Sequence, residues 1–275
     1  MEEKTKISIP LVVFVLGQKC TLRCRDCGNF TPYLPQTFYD LESIWDDFTR
    51  LLSVADLERC QIQGGEPLIH PDFVELCKRL RILRPGQVCF ATNGTKLLSS
   101  GQMEALRAID ASLRISNYSV TGQRAQELQR QCQQAGIRSE LFQFALGDGK
   151  WLNMGRASQP RGDDEETTSR LGECPFRGCL TLEDGILGRC SRATVAHHIQ
   201  KFSPAPGDFV TIRQLAAEQL HDVLEEYLRH PSPMEACRYC LGNRGERISP
   251  AIQMQRKRTQ RGVIGRPAVG GQERP

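Results

Sequence analysis

The stretch ISIPLVVFVLGQKCTLRCRDC, residues 7–27, decides how this chain is read. Residues 7–16 are a short, nearly unbroken apolar run that stops at Gly17, the pattern of a buried strand. Directly behind it stand Cys20, Cys24 and Cys27, spaced Cys-x3-Cys-x2-Cys. A cubane cluster has four irons, so three thiolates from one tight loop leave one iron without a protein ligand. Open coordination marks a site that binds something else, as it does at catalytic zinc. The expected fourth ligand is a cofactor or a substrate.

Outward from the triplet, the chain to residue 145 alternates strand-like and helix-like segments. Residues 40–54 open on Asp40 and place Leu41, Ile44, Trp45, Phe48, Leu51 and Leu52 at the spacing of an amphipathic helix. Further helices are expected over 72–83, 100–109 and 121–135, and strands over 59–63, 87–92, 111–116 and 137–144. Such alternation predicts an α/β fold with a parallel sheet and helices outside it. Four motifs then fall just after strands: the cysteine triplet, Gly64-Gly65-Glu66-Pro67, Thr92-Asn93-Gly94 and Ser116-Asn117. In α/β barrels the active site lies at that carboxyl end of the strands.

Composition narrows the function classes. The chain has 275 residues, 39% hydrophobic and 25% charged, which is ordinary for a soluble globular protein. No apolar run approaches the roughly 18 residues that span a bilayer, and no signal-peptide core follows the charged start. A cytoplasmic protein is expected. Twelve cysteines in a reducing compartment point to metal or redox chemistry rather than disulfides. Cys60, Cys77, Cys89, Cys132 and Cys179 fall outside recognisable spacings, and core packing is the default for them. Net charge is +4, but residues 241–275 carry +6, which leaves −2 for the remainder. A slightly acidic body argues against a nucleic-acid surface.

The second half reads as a separate unit. Residues 146–173 look like a linker with an acidic stretch over 163–166. Residues 174–250 hold a β-hairpin turning at Asp184-Gly185, a helix over 211–228, and Cys237-x2-Cys240. Residues 251–275 are basic and rich in Gly and Pro, and are expected to be a disordered tail.

The triplet together with Gly64-Gly65-Glu66-Pro67 resembles the radical S-adenosylmethionine superfamily. The resemblance covers residues 7–145. It implies a partial (β/α)6 parallel barrel, a [4Fe-4S] cluster on Cys20, Cys24 and Cys27, and S-adenosylmethionine at the open iron. It also implies cofactor contacts from Gly64, Gly65, Glu66, Pro67, Asn93, Ser116 and Asn117. One departure stands out: Asp26 occupies the usually aromatic position before the third cysteine, and Phe30 and Tyr33 are the candidates to meet adenine instead. A zinc site is the alternative reading of the cysteines from spacing alone.

Cys174-x10-Gly185-x4-Cys190, completed by Cys237 and Cys240, resembles the auxiliary-cluster motif of twitch and SPASM domains, and implies a second [4Fe-4S] cluster in a twitch-type hairpin-plus-helix subdomain. Cys179 competes with Cys174 for the first ligand position. If it is free, Cys179 is either a packed strand residue or a hydrogen-atom donor. The subgroup is similar to 2-deoxy-scyllo-inosamine dehydrogenase and aminoglycoside epimerases. It implies oxidation or epimerisation of a sugar or aminocyclitol, with electrons from a flavodoxin- or ferredoxin-like partner. Modification of a ribosomal peptide is the alternative, and an RNA-modifying or binding role for the basic tail is a third.

Overall fold

In a computed structural model describing residues 5–142, 149–155, 160–199, 203–229 and 232–255, β1 (Ile7–Val15) runs inside an eight-stranded sheet. α1 (Leu41–Val54) leads without a loop into β2 (Ala55–Gln63). Then come α2 (Phe73–Leu83), β3 (Gln87–Thr92), α3 (Ser100–Ala108), β4 (Ser112–Ser116), α4 (Gly122–Gln134) and β5 (Ser139–Phe142). These five strands pair in parallel and in sequence order. Parallel crossovers are right-handed, so winding in one direction puts all four helices on one face. On that face Cys60, Ile62, Val88, Phe90, Leu113 and Ile115 pack with Phe48, Leu51, Leu76, Leu106 and Leu128 in one core. Side chains alternate along a strand, so Gln61, Gln63, Ser112, Arg114 and Ser116 face the other way.

The rest of the chain adds to the opposite edge. After β6 (Trp151–Leu152) and α5 (Asp164–Gly172), β7 (Leu180–Glu183) pairs in parallel with β1, Val12 opposite Leu180. β8 (Ile186–Gly188) returns antiparallel to β7 through Asp184 and Gly185, both with positive φ (47° and 79°), the two-residue hairpin turn that this dipeptide predicts. α6 (Ser191–His198) follows, and β9 (Phe209–Thr211) pairs antiparallel with β8. α7 (Ala217–Arg229), α8 (Glu235–Arg238) and β10 (Arg247–Ile248) complete the described elements, with β10 antiparallel to β6. Among the described residues no helix is long and apolar enough to cross a membrane.

Three expectations need correction. The hairpin at Asp184-Gly185 forms, but it extends the main sheet instead of a sheet of its own, because Leu180, Leu182 and Leu187 bury in the same core as Val12 and Phe14. The sixth parallel strand of the sheet lies beside β1. The acidic stretch of the expected linker is the start of α5. Asp163 accepts from Glu166 N–H at 2.9 Å, and Asp164, Glu165 and Glu166 fill the first turn, where negative charge complements the helix dipole. Finally, residues 251–255 of the expected tail pack on the triplet loop, with Arg25 N–H donating to Ile252 C=O at 2.8 Å and Met254 N–H to Arg23 C=O at 2.8 Å. The remainder of that tail, 256–275, lies outside the described residues.

The hairpin is locked to α1 by Asp47, which is 5% exposed. Its carboxylate accepts from Gly185 N–H (2.9 Å) and from Arg213 Nε and a terminal guanidinium nitrogen (2.7 and 2.8 Å). Removing it strands a buried N–H and a cation. Asp47→Ala is expected to cost about 2–3 kcal/mol in urea unfolding, at the low end for a broken buried pair because Arg213 is partly solvated. Asp184→Ala, which removes an exposed partner of Arg213, should cost well under half of that.

Candidate functional site

The carboxyl ends of β1, β2, β3 and β4 open on a cavity of about 340 Å³, within the range of small-molecule sites. Cys20, Cys24 and Cys27 line it, together with Gly64, Gly65, Asn93 and Ser116. Glycine is required at 64 and 65 because β2 ends against the backbone that leads into the triplet. A Cβ on Gly65 would fall 2.1 Å from Lys19 O and 2.8 Å from Cys20 N, and one on Gly64 would fall 2.7 Å from Gly17 O. In that close approach Gly65 N–H donates to Gly17 C=O and Glu66 N–H to Lys19 C=O, both at 2.9 Å.

Glu66 turns away from the cavity. Its carboxylate, 1% exposed, accepts from Leu68 N–H (3.1 Å), Thr92 Oγ1 (2.8 Å) and Asn93 N–H (2.8 Å). Desolvation pushes its pKa up to about 7, against the pull of those three donors. Asn93 passes the tie onward: its Nδ2 donates to Thr21 Oγ1 at 2.9 Å and reaches Cys20 Sγ at 3.5 Å. Pro67 begins a buried 3-10 turn, and Asn117 spends its N–H on Phe142 C=O. Glu66, Pro67 and Asn117 are therefore outside the cavity lining, while the other four expected cofactor contacts are in it.

The triplet sulfurs sit among N–H donors. Leu22 N–H points at Cys20 Sγ (3.4 Å), and Gln253 Nε2 at Cys24 Sγ (3.3 Å). Burial pushes the thiols of Cys20 and Cys24 up to about 12 and about 11, with repulsion from the neighbouring sulfurs adding to it. Asp26 lines the cavity and is paired with Arg25 at 2.8 Å. Phe30 does not reach the cavity. Its ring lies under the Arg192 guanidinium, 4.3 Å away, and packs with Leu34 and Val195. Tyr33 donates to Arg25 C=O at the surface.

Most of the opposite wall carries no sequence motif. Tyr118 and Trp151 meet edge to face at 5.5 Å, and both line the cavity with Gln61, Gln63, Arg114, Phe142 and Met154. Arg114 stacks on Phe142 at 3.3 Å. The alternation of Gln61 and Gln63 with apolar Cys60 and Ile62 was the available signal, since polar residues on one face of a parallel strand need a reason to be there.

Cys174, Cys190, Cys237 and Cys240 line a second cavity, of about 780 Å³, beneath α6 and α8. Four arginines line it too, Arg170, Arg177, Arg189 and Arg192, and no carboxylate among the described residues does. Gly242 N–H points at Cys240 Sγ at 3.3 Å, and the Nε of buried Arg170 has no partner among the described residues. Burial pushes the thiols of Cys190 and Cys237 up to about 12 and about 11. Cys179 lines neither cavity; its N–H donates to Phe176 C=O at 3.0 Å. Among the described residues no three side chains converge on one metal ion, the arrangement tetrahedral zinc requires.

Gly65→Ala should push the β2 end away from Cys20, so the anaerobically purified variant is expected to retain well under half the wild-type iron at the triplet, measured by iron assay and absorbance. Truncation after Gln255 keeps the contacts that residues 252–254 make with the triplet loop, and its iron content should match wild type. Truncation after Ile248 removes Gln253, the donor to Cys24 Sγ, and should lower iron retention in the same assay.

Residues 14–127 match the model of the Radical SAM superfamily. GTP 3',8-cyclase 1 of Pseudomonas aeruginosa is 36% identical over 84 residues, 29% of this chain and 25% of that protein. Molybdenum cofactor biosynthesis protein 1 of Mus musculus is 34% identical over 106 residues, 36% of this chain and 16% of that one. The chain thus spans a quarter or less of the length of these two relatives. The crystal structure of BtrN in complex with AdoMet and 2-DOIA has a TM-score of 0.53 at 12% identity, covering 86% of this chain and 94% of that one, a likeness of fold. The segment 14–127, which holds the cysteine triplet and the three other strand-end motifs, is thus similar to the Radical SAM superfamily.

Proposed function

We propose that the chain is a radical S-adenosylmethionine enzyme carrying two [4Fe-4S] clusters and acting on a C–H bond of a sugar or aminocyclitol. The observation that carries the reading is the pair of cysteine sets, three on the rim cavity and four on the second. Both donor sets fit iron–sulfur clusters. Thiolates of a cubane bind separate irons, so they need to surround a cavity and not to converge on a point. N–H groups aimed at sulfur are the hydrogen bonds such ligands take. A [4Fe-4S] cluster on four thiolates is an anion, and the four arginines around the second set suit it.

In this reading Cys20, Cys24 and Cys27 hold the first cluster, and Gly64, Gly65, Asn93 and Ser116 bind the cofactor beside it. Glu66, Pro67 and Asn117 act one step back: Glu66 holds the ends of β2 and β3 in place, and so positions Asn93. When bound, the reduced cluster and S-adenosylmethionine supply a 5'-deoxyadenosyl radical able to take hydrogen from an unactivated carbon. Tyr118, Trp151, Phe142 and Met154 exclude water, while Gln61, Gln63 and Arg114 offer hydrogen bonds to a polyhydroxyl substrate. Cys174, Cys190, Cys237 and Cys240 hold the auxiliary cluster, which with no open iron serves electron transfer. Cys179 is a packed residue beside it, since it lies off the substrate cavity. Residues 7–145 as a partial barrel, and 174–250 as a twitch-type unit built onto its sheet, belong to the same proposal. So do a cytoplasmic setting and a flavodoxin- or ferredoxin-like reductant.

Anaerobic incubation with S-adenosylmethionine, reductant and deuterated probes tests this. Label passing from a sugar or aminocyclitol into 5'-deoxyadenosine is expected, with about eight irons per chain. A product two hydrogens lighter marks oxidation, and an unchanged mass marks epimerisation. Label transferred only from a ribosomal peptide, or only from GTP, would replace the substrate assignment.

A further inference from the structure

The two cysteine sets share one buried cation. Arg192 stands two residues after Cys190, in the first turn of α6, and is 8% exposed. It lines the cavity of Cys174, Cys190, Cys237 and Cys240. It also lines a small neighbouring cavity bounded by Cys27, Asp26 and Phe30. Of the four arginines around the auxiliary set it alone borders both.

Its position is built from both sides. Phe30, three residues after Cys27, takes a left-handed backbone conformation (φ 52°), and its N–H donates to Cys27 C=O at 3.1 Å. That conformation turns the ring beneath the guanidinium at 4.3 Å, a cation–π contact in a buried setting. Arg192 also donates to Gly155 C=O and shares its cavity wall with Cys190 and Cys240. The guanidinium is thus held by the triplet loop and by Gly155, beside the auxiliary set. Arginine stays protonated even when burial disfavours its charge, so the site carries a fixed positive charge.

Resting on the two-cluster reading above, we propose that Arg192 is an electrostatic partner common to both clusters. A fixed cation favours the more negatively charged, reduced form of each neighbour, and does so strongly where water is excluded. Arg192 therefore raises the reduction potential of both clusters. It also screens the charge of one from the other, so that an electron can be held at either site.

The test is potentiometric titration, followed by electron paramagnetic resonance, of the anaerobically reconstituted full chain. Each cluster is titrated alone in the variant lacking the other set's cysteines. Arg192→Met should shift both midpoints to more negative potential, and Arg192→Lys, which keeps the charge, should shift them much less. Arg189→Met is the control. Arg189 lines only the auxiliary cavity and stacks on Tyr227, so its loss should move the auxiliary midpoint and spare the triplet cluster. If Arg192→Met loses iron, Arg192→Gln is titrated in its place. A triplet-cluster midpoint unchanged by loss of the charge, with iron retained, overturns the proposal. Four irons in the wild-type chain would overturn the two-cluster reading itself, and this inference with it.

Discussion

Two backbone hydrogen bonds, Gly65 N–H to Gly17 C=O and Glu66 N–H to Lys19 C=O, hold the end of β2 against the loop that carries the cysteine triplet. They form only because residues 64 and 65 have no Cβ to strike the β1 exit. Glu66 extends the same tie sideways: its buried carboxylate gathers Leu68, Thr92 and Asn93, and Asn93 reaches back to Thr21 and Cys20. Three strand ends thereby share one register with three thiols. Burying a carboxylate is costly unless its oxygens are satisfied, and three donors offset part of that cost here.

The same logic of shared walls recurs on the other edge of β1. Gln18, next in chain to the triplet approach, donates to Glu183 at the end of β7, and Tyr39 donates to the same oxygen at 2.8 Å. β7 pairs directly with β1, so Cys174 and Cys190, which flank the β7–β8 hairpin, stand beside an extension of the sheet that carries the triplet. Arg192 and Phe30 close the remaining gap. Backbone pairing of β7 with β1 brings the walls of the two cavities near each other.

Local patterns were legible wherever period and punctuation agree. The βα alternation to residue 142, the turn at Asp184-Gly185 and the capped helices each follow from chemistry within a few residues. Where structure departs from pattern, the reasons are equally local. The acids at 163–166 have the polarity of a linker, yet they form an N-cap and a first helical turn. The second strand was expected from residue 59, four residues late, because Asp56 and Glu58 mask an alternation whose buried members are Ala55 and Leu57.

By itself the sequence determined the α/β class, the rim on which the motifs fall and the spacing of the cysteine triplet, while it left Cys174 and Cys179 as alternatives in the second set. Those depend on side-chain period and on spacing along the chain. Tertiary structure alone decided that β7 joins β1, that Glu66 faces inward while Gln61, Arg114, Tyr118 and Trp151 line the cavity, and that Phe30 serves Arg192. It also brought residues 252–254 back over Cys24. Each of these is a contact between residues far apart in the chain, and no local pattern encodes which distant surface a side chain will meet.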